Sequence, residues 1–282
     1  MKVYFCNDTS LYHAGSKAVC DYIKRKLADA GYEIIAEDFS DNELEVIRSC
    51  DVVLVNGEGT MHHGCKRALK LLASLSMGQK LGKKTHLVNT VWQSMGSGYT
   101  AVLEKLDSFT VREAMSFDEV VRTTALSPDI YLDFSYWSHR PDAPKKNFSD
   151  VDFTANPVVT DFYSVEFGSF VRPTGGWLSR VEFVDMKRCE WVELAEALSA
   201  HSMLLTGRHH GVYASCVVST PFLPFRGNTH KIEGLFRSAG VCIPISETPK
   251  ELKKHFLNFD EIKAECFKLF DWMNDQPEWP GI

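Results

Sequence analysis

Residues 202–231, SMLLTGRHHGVYASCVVSTPFLPFRGNTHK, switch between two kinds of sequence in a way that few folds accommodate. The apolar run Met203 to Leu205 reads as a buried parallel strand. It stops at Thr206-Gly207, and the polar, basic cluster Arg208, His209, His210 and Gly211 follows. Val212, Ala214, Ser215 and Val218 continue at helical spacing up to the breaker Thr220-Pro221. A second apolar run, Phe222 to Phe225, then ends in the polar loop Arg226 to Lys231. Strand, polar loop, helix, strand, polar loop is half of a doubly wound α/β sheet, and such sheets take ligands outside the carboxyl ends of their strands. Gly211 is expected to open the helix, whose N-terminal amides favour an anion.

The first half of the chain follows the same rule. Lys2 to Cys6 predicts a strand ending in Asn7-Asp8-Thr9-Ser10, and Val19, Ile23 and Leu27 predict a helix from Gly15 to Gly31. Asp51 to Val55 is a near-continuous apolar run, as strands buried on both faces are, and it ends in Asn56-Gly57-Glu58-Gly59-Thr60. Two glycines around an acid let a backbone approach a ligand closely. The spacing is neither GxGxxG nor a P-loop, so nucleotide binding does not follow from it. Cys65 to Met77 predicts a helix with Leu69, Leu72 and Leu75 inward, Thr85 to Asn89 a strand leading to Gln93, and Phe109 to Arg112 another. Residues 138–150, with two prolines and mixed charge, have a linker's composition. Beyond them, Cys242 to Ile245 reads as a strand, and Leu252 to Met273 carries helical patterning with Leu257, Ile262, Cys266 and Phe270.

Arg208-x-His210-Gly211, the small-residue helix, Thr220-Pro221 and Lys231 resemble the C-terminal signature of the polysaccharide pyruvyl transferase family. Thr110-Val111-Arg112-Glu113-x-x-Ser116 resembles that family's "VRE…S" element, and Ser127-Pro128-Asp129-Ile130 with Asp133 its "PD" element. The glycine-rich segment after Val55 is similar too, with Glu58 where a third glycine is usual. The resemblance implies an α/β fold of two Rossmann-like domains facing a cleft, GT-B-like. These would be residues 1–140, the acceptor side, and residues 151–282, the anion or donor side, the last helix being free to cross back to the first domain. It also implies transfer of a pyruvyl group from phosphoenolpyruvate to a sugar of a surface polysaccharide or its precursor.

Charge and cysteine usage narrow the class. A net charge of −6 argues against nucleic-acid partners, which need a basic surface, so any anion site must be local. No apolar run approaches the roughly 18 residues of a membrane span. Eight cysteines without CxxC pairs are the usage of reduced thiols, and the expected location is the cytoplasm. His62-His63-x-Cys65 lacks a second ligand pair at zinc-like spacing, and Asp150-Val151-Asp152 sits outside a nucleotide-binding context, so neither a metal nor a cofactor is expected.

Pyruvyl transfer must neutralise a phosphate and a carboxylate, protonate C3 of the enol and tolerate cationic character at C2. Arginine suits bidentate anion binding, lysine adds a point charge, and histidine donates protons near neutral pH. Arg208, His209, Gly211, Asn228 and Lys231 are therefore the donor-binding candidates and His210 the general acid. Asp8 and Glu58, at first-half strand ends, are the candidate base or sugar-hydroxyl partners, with solvated loop acids the bland alternative. Asn7, Thr60, Gln93 and Trp177 complete the acceptor candidates, although for Trp177 a half-buried core aromatic is the commoner case. Two other readings stay open: a glycosyltransferase using a nucleotide-activated sugar, and a non-catalytic sugar- or anion-binding protein. Acceptor identity and oligomeric state are not legible.

Overall fold

The computed structural model describes residues 1–39, 41–139 and 151–282. It divides into two compact units, one of residues 1–11, 19–134 and 277–282, the other of residues 12–18 and 135–276. Most of the linker expected at 138–150, including Asp150, lies outside the described residues.

The first unit carries a six-stranded parallel sheet in the order β2-β1-β3-β4-β5-β6. In chain order its elements are β1 (Lys2–Cys6), α1 (Ala14–Asp29), β2 (Glu33–Glu37), α2 (Glu43–Ser49), β3 (Val52–Glu58), α3 (Lys66–Lys80), β4 (Lys84–Thr90), α4 (Thr100–Leu103), β5 (Ser108–Val111), α5 (Ala114–Thr124) and β6 (Asp129–Ile130). The first turn of α1 belongs to the second unit. All seven residues of β3 are buried, as a central parallel strand requires. On α3 the inward residues are Leu71, Leu72 and Leu75; Leu69 points outward at 40 % exposure, which corrects the expected face.

The elements that resemble the family's motifs hold this unit together. Arg112 and Asp133 form an ion pair that is almost wholly buried. Glu113 caps α5 by accepting from the Met115 and Ser116 amides at 2.6 and 3.0 Å, and Ser116 Oγ accepts from the Trp92 amide at 2.8 Å. His86 of β4 shares a 2.7 Å bond with Ser108 Oγ. Burial pushes its pKa down to about 4, against Asp107 and with Lys84. An unfolded histidine takes its proton near pH 6.5. Between those values the unfolded chain binds a proton that the folded chain refuses, so stability present at neutral pH is lost as pH falls through that window. Urea midpoints should therefore drop from pH 7 to pH 4.5, and drop less in His86→Gln. Equal slopes would remove His86 from the account.

The second unit contains β7 (Pro157–Val159), β8 (Phe162–Ser164), β9 (Ser169–Val171), β10 (Glu182–Phe183), α6 (Trp191–Ala200), β11 (Met203–Thr206), α7 (His209–Val217), β12 (Phe222–Pro224), α8 (Lys231–Ala239), α9 (Pro249–Leu257) and α10 (Lys263–Asn274). Its four-stranded parallel sheet has the order β10-β7-β11-β12, and β8 and β9 form a separate antiparallel hairpin. The helix after β11 opens at His209 with Arg208 as its cap, two residues earlier than expected. The expected strand at Cys242–Ile245 is not formed; the next residue, Ser246, makes an isolated bridge to Phe225. Pro244 lacks the N–H a ladder needs. The long C-terminal helix is broken: Asn258 ends α9, and a 3-10 turn buries Phe259 before α10 begins. Leu257, placed on its inward face by periodicity, is 66 % exposed. No helix among the described residues is long and apolar enough to cross a membrane.

Candidate functional site

The strand order of the second sheet reverses between β7 and β11, and the carboxyl ends flanking that point are where a doubly wound sheet binds ligands. Thr206 and Thr160 meet there through their hydroxyls at 2.6 Å. Arg208 follows, 8 % exposed, with Nε and Nη2 donating to Oδ2 of Asp161 at 3.2 and 2.9 Å and its guanidinium 4.0 Å from the Phe170 ring centroid. Burial pulls the guanidinium's pKa down and Asp161 opposes that pull. Arg208 is thus a cation already engaged along one edge and one face.

His209, His210 and Gly211 fill the first turn of α7 and are all buried. Gly211 is required by closeness, since a Cβ there would lie 2.5 Å from Thr206 Oγ1. His209 packs on Tyr213, ring centroids 4.6 Å apart, which makes it part of the core. His210 meets residues 12–18 instead: its ring lies 5.0 Å from that of His13, and a Cβ at Gly15 would stand 2.3 Å from its Cβ and Cγ. The Ala14 amide pins this segment to the Met186 carbonyl at 2.8 Å. Lys231 opens α8 and donates to Asn228 Oδ1 at 2.8 Å. The loop carrying them packs near Gly207, whose carbonyl would be 3.7 Å from a Cβ at Gly227.

Asp161, His13 and Gly15 were not found from the sequence. Asp161 had a signal, being an acid directly after the apolar run Pro157-Val158-Val159-Thr160, at a strand's carboxyl end. His13 and Gly15 carry none, because their partner lies about two hundred residues away. Gly15→Ala should push His210 from its place, with turnover falling at least about tenfold and stability by about 1–3 kcal/mol. Wild-type activity in that variant would break the link between residues 12–18 and His210.

The first unit gathers the other candidates at its own reversal point, between β1 and β3. Asn7, at φ 68°, donates to the Asn56 carbonyl at 2.6 Å and to Thr60 Oγ1 at 3.2 Å, and accepts from Arg67 Nε at 2.6 Å. Glu58 is buried and accepts from Thr9 Oγ1, so it is not a solvated loop acid. Burial works against ionisation of Asp8. The 2.8 Å bonds from Lys24 Nζ and the Ser10 amide outweigh it and hold the carboxyl well below the usual range. So weak a base suits positioning better than proton abstraction. Gln93 is tied by its backbone to Met61 and His63. Trp177 belongs to the second unit and packs on Phe256 of α9, centroids 5.1 Å apart, as a core aromatic does. Asp152 of the DxD sequence accepts from Thr154 within its own turn.

Parallel sheets with polar strand ends at two reversal points define a Rossmann-like α/β protein of the GT-B class. The sequence profile of the polysaccharide pyruvyl transferase family matches residues 5–229, and the chain belongs to that family of transferases. The match ends just before Lys231. A comparison with curated proteins returned no significant match. Among solved structures, a Listeria monocytogenes protein assigned as a UDP-N-acetylglucosamine 2-epimerase superposes with a TM-score of 0.58 at 11 % identity, covering 99 % of this chain and 92 % of that one. S. aureus MnaA with UDP gives 0.56 at 11 % identity, covering 100 % and 92 %. An uncharacterized Klebsiella pneumoniae protein gives 0.53 at 13 %, covering 84 % and 87 %. These likenesses bear out the expected fold class.

Proposed function

We propose that the protein transfers a pyruvyl group from phosphoenolpyruvate to a sugar of a polysaccharide or its precursor, in the cytoplasm. The observation that carries the reading is the placing of Arg208, His210 and Lys231 at the carboxyl ends of β11 and β12, each on the first turn or cap of a helix. Helix N-termini and cations together favour a donor with two anionic groups. In the reaction a proton passes to C3, with His210 the donor. A sugar hydroxyl bonds to C2, the C2–O bond to phosphate breaks with its electron pair leaving on phosphate, and a second hydroxyl closes the ketal. Of the two hydroxyl protons one returns to His210 and the other leaves with the phosphate. Arg208 and Lys231 meet the leaving phosphate and the carboxylate. The sugar hydroxyls are assigned to Glu58, Asn7 and Thr60 of the first unit, with Asp8 as a fixed negative charge beside them. The eight free cysteines suit a reducing compartment.

Calorimetric titration with phosphoenolpyruvate and with UDP-, GDP- and CMP-linked sugars tests the donor. Phosphoenolpyruvate should bind and the nucleotide sugars should not; the reverse would move the protein to the glycosyltransferases. Binding with no phosphate released, whatever the glycan offered, would leave a binding protein. Glu58→Gln should lower acceptor use at least about tenfold with donor affinity unchanged. Loss of donor affinity there would place the donor on the wrong unit.

A further inference from the structure

Arg208 is held by one continuous piece of chain. Asp161 precedes the β8–β9 hairpin and Phe170 lies within it, so the carboxylate on the guanidinium's edge and the ring on its face move together. The hairpin is fixed at its base. The Gly207 amide donates to the Asp161 carbonyl at 3.0 Å, a Cβ at Gly207 would collide with Phe162 Cα at 2.8 Å, and Phe162 stacks on Phe225 at 4.8 Å. Both guanidinium bonds end on one oxygen, Oδ2, and the two side chains are about equally buried, 10 % and 9 % exposed. The Nη1 nitrogen bonds to none of the described residues.

This arrangement has two consequences. The orientation of the guanidinium is set before any ligand arrives, which lowers the ordering cost of binding. The pair is also neutral as a whole, so an arriving anion meets both an attractive and a repulsive charge at close range. A transferase that liberates phosphate at such a point gains from that repulsion, because a bare buried cation would retain its product.

We propose that Asp161 is the positioning residue and resident counter-anion of Arg208, fixing its Nε–Nη2 edge and holding anion affinity low enough for phosphate to leave. The inference rests on the reading of Arg208 as a donor-binding residue.

Asp161→Asn keeps one oxygen acceptor for both bonds and removes the charge; Asp161→Glu keeps the charge and displaces the edge. Inorganic phosphate should bind Asp161→Asn about tenfold more tightly than wild type. KM for phosphoenolpyruvate and kcat should fall together as phosphate release slows. Asp161→Glu should lower kcat/KM with no gain in phosphate affinity. Should Asp161→Asn be poorly stable, phosphate should raise its melting temperature by more than it raises that of wild type. Phosphate affinity and thermal shift no greater than wild type in Asp161→Asn would overturn the proposal. A wild-type protein that binds phosphate but ignores phosphoenolpyruvate would sink the donor reading, leaving the role of Asp161 to be judged on phosphate alone.

Discussion

Arg208→Lys is expected to lower kcat/KM for the donor about ten- to hundredfold, although the charge is kept. The guanidinium spends two N–H groups on Asp161 and lays its face against Phe170. An ammonium cannot hold Asp161 in that planar geometry and still present a second donor to an anion. Each charge-assisted bond lost is worth about 1.5–3 kcal/mol, which sets the range. His210→Ala should behave differently. As the general acid its loss should lower kcat far more than donor affinity; a group that merely held phosphate would lose both equally. Phosphate-release kinetics alongside calorimetry separate the cases, and an Arg208→Lys enzyme within about twofold of wild type would take Arg208 out of the site.

The fold was legible because buried parallel strands write themselves as short apolar runs, and their carboxyl ends, which must face solvent or ligand, turn polar at once. Lys2 to Cys6, Asp51 to Val55 and Met203 to Leu205 all obey this. The positions of Arg208, His210 and Lys231 at strand ends were legible for the same reason, since they stand where those runs stop. Legibility failed where structure depends on distant partners. The β8 and β9 strands have three residues each, too few for a period to show. Asp161 pairs with a residue 47 positions away. Gly15 looks like an ordinary helix-start glycine until the His210 ring is set against it. Pro244 misled in the opposite direction, since an apolar run with a proline inside satisfies the hydrophobic pattern of a strand without its hydrogen bonds.

The largest effect on stability should come from the first unit, at Arg112 and Asp133. The guanidinium and carboxylate side chains are buried almost completely, 1 % and 0 % exposed, and Nε of Arg112 has no hydrogen-bond partner among the described residues. Neither ion can therefore recover its hydration if the other is removed. Asp133→Ala or Arg112→Ala should each cost about 3–5 kcal/mol, the cost of breaking a buried ion pair from one side. Neutralising both sites should cost much less than the sum, because an apolar pair carries no desolvation penalty. Arg112→Met with Asp133→Leu is the combination to make, read by urea unfolding as a double-mutant cycle. A coupling energy near zero, with the single substitutions strictly additive, would mean the two side chains do not depend on each other. A large coupling would mean that the arginine matched to the family's motif contributes to this unit chiefly through the carboxylate it holds.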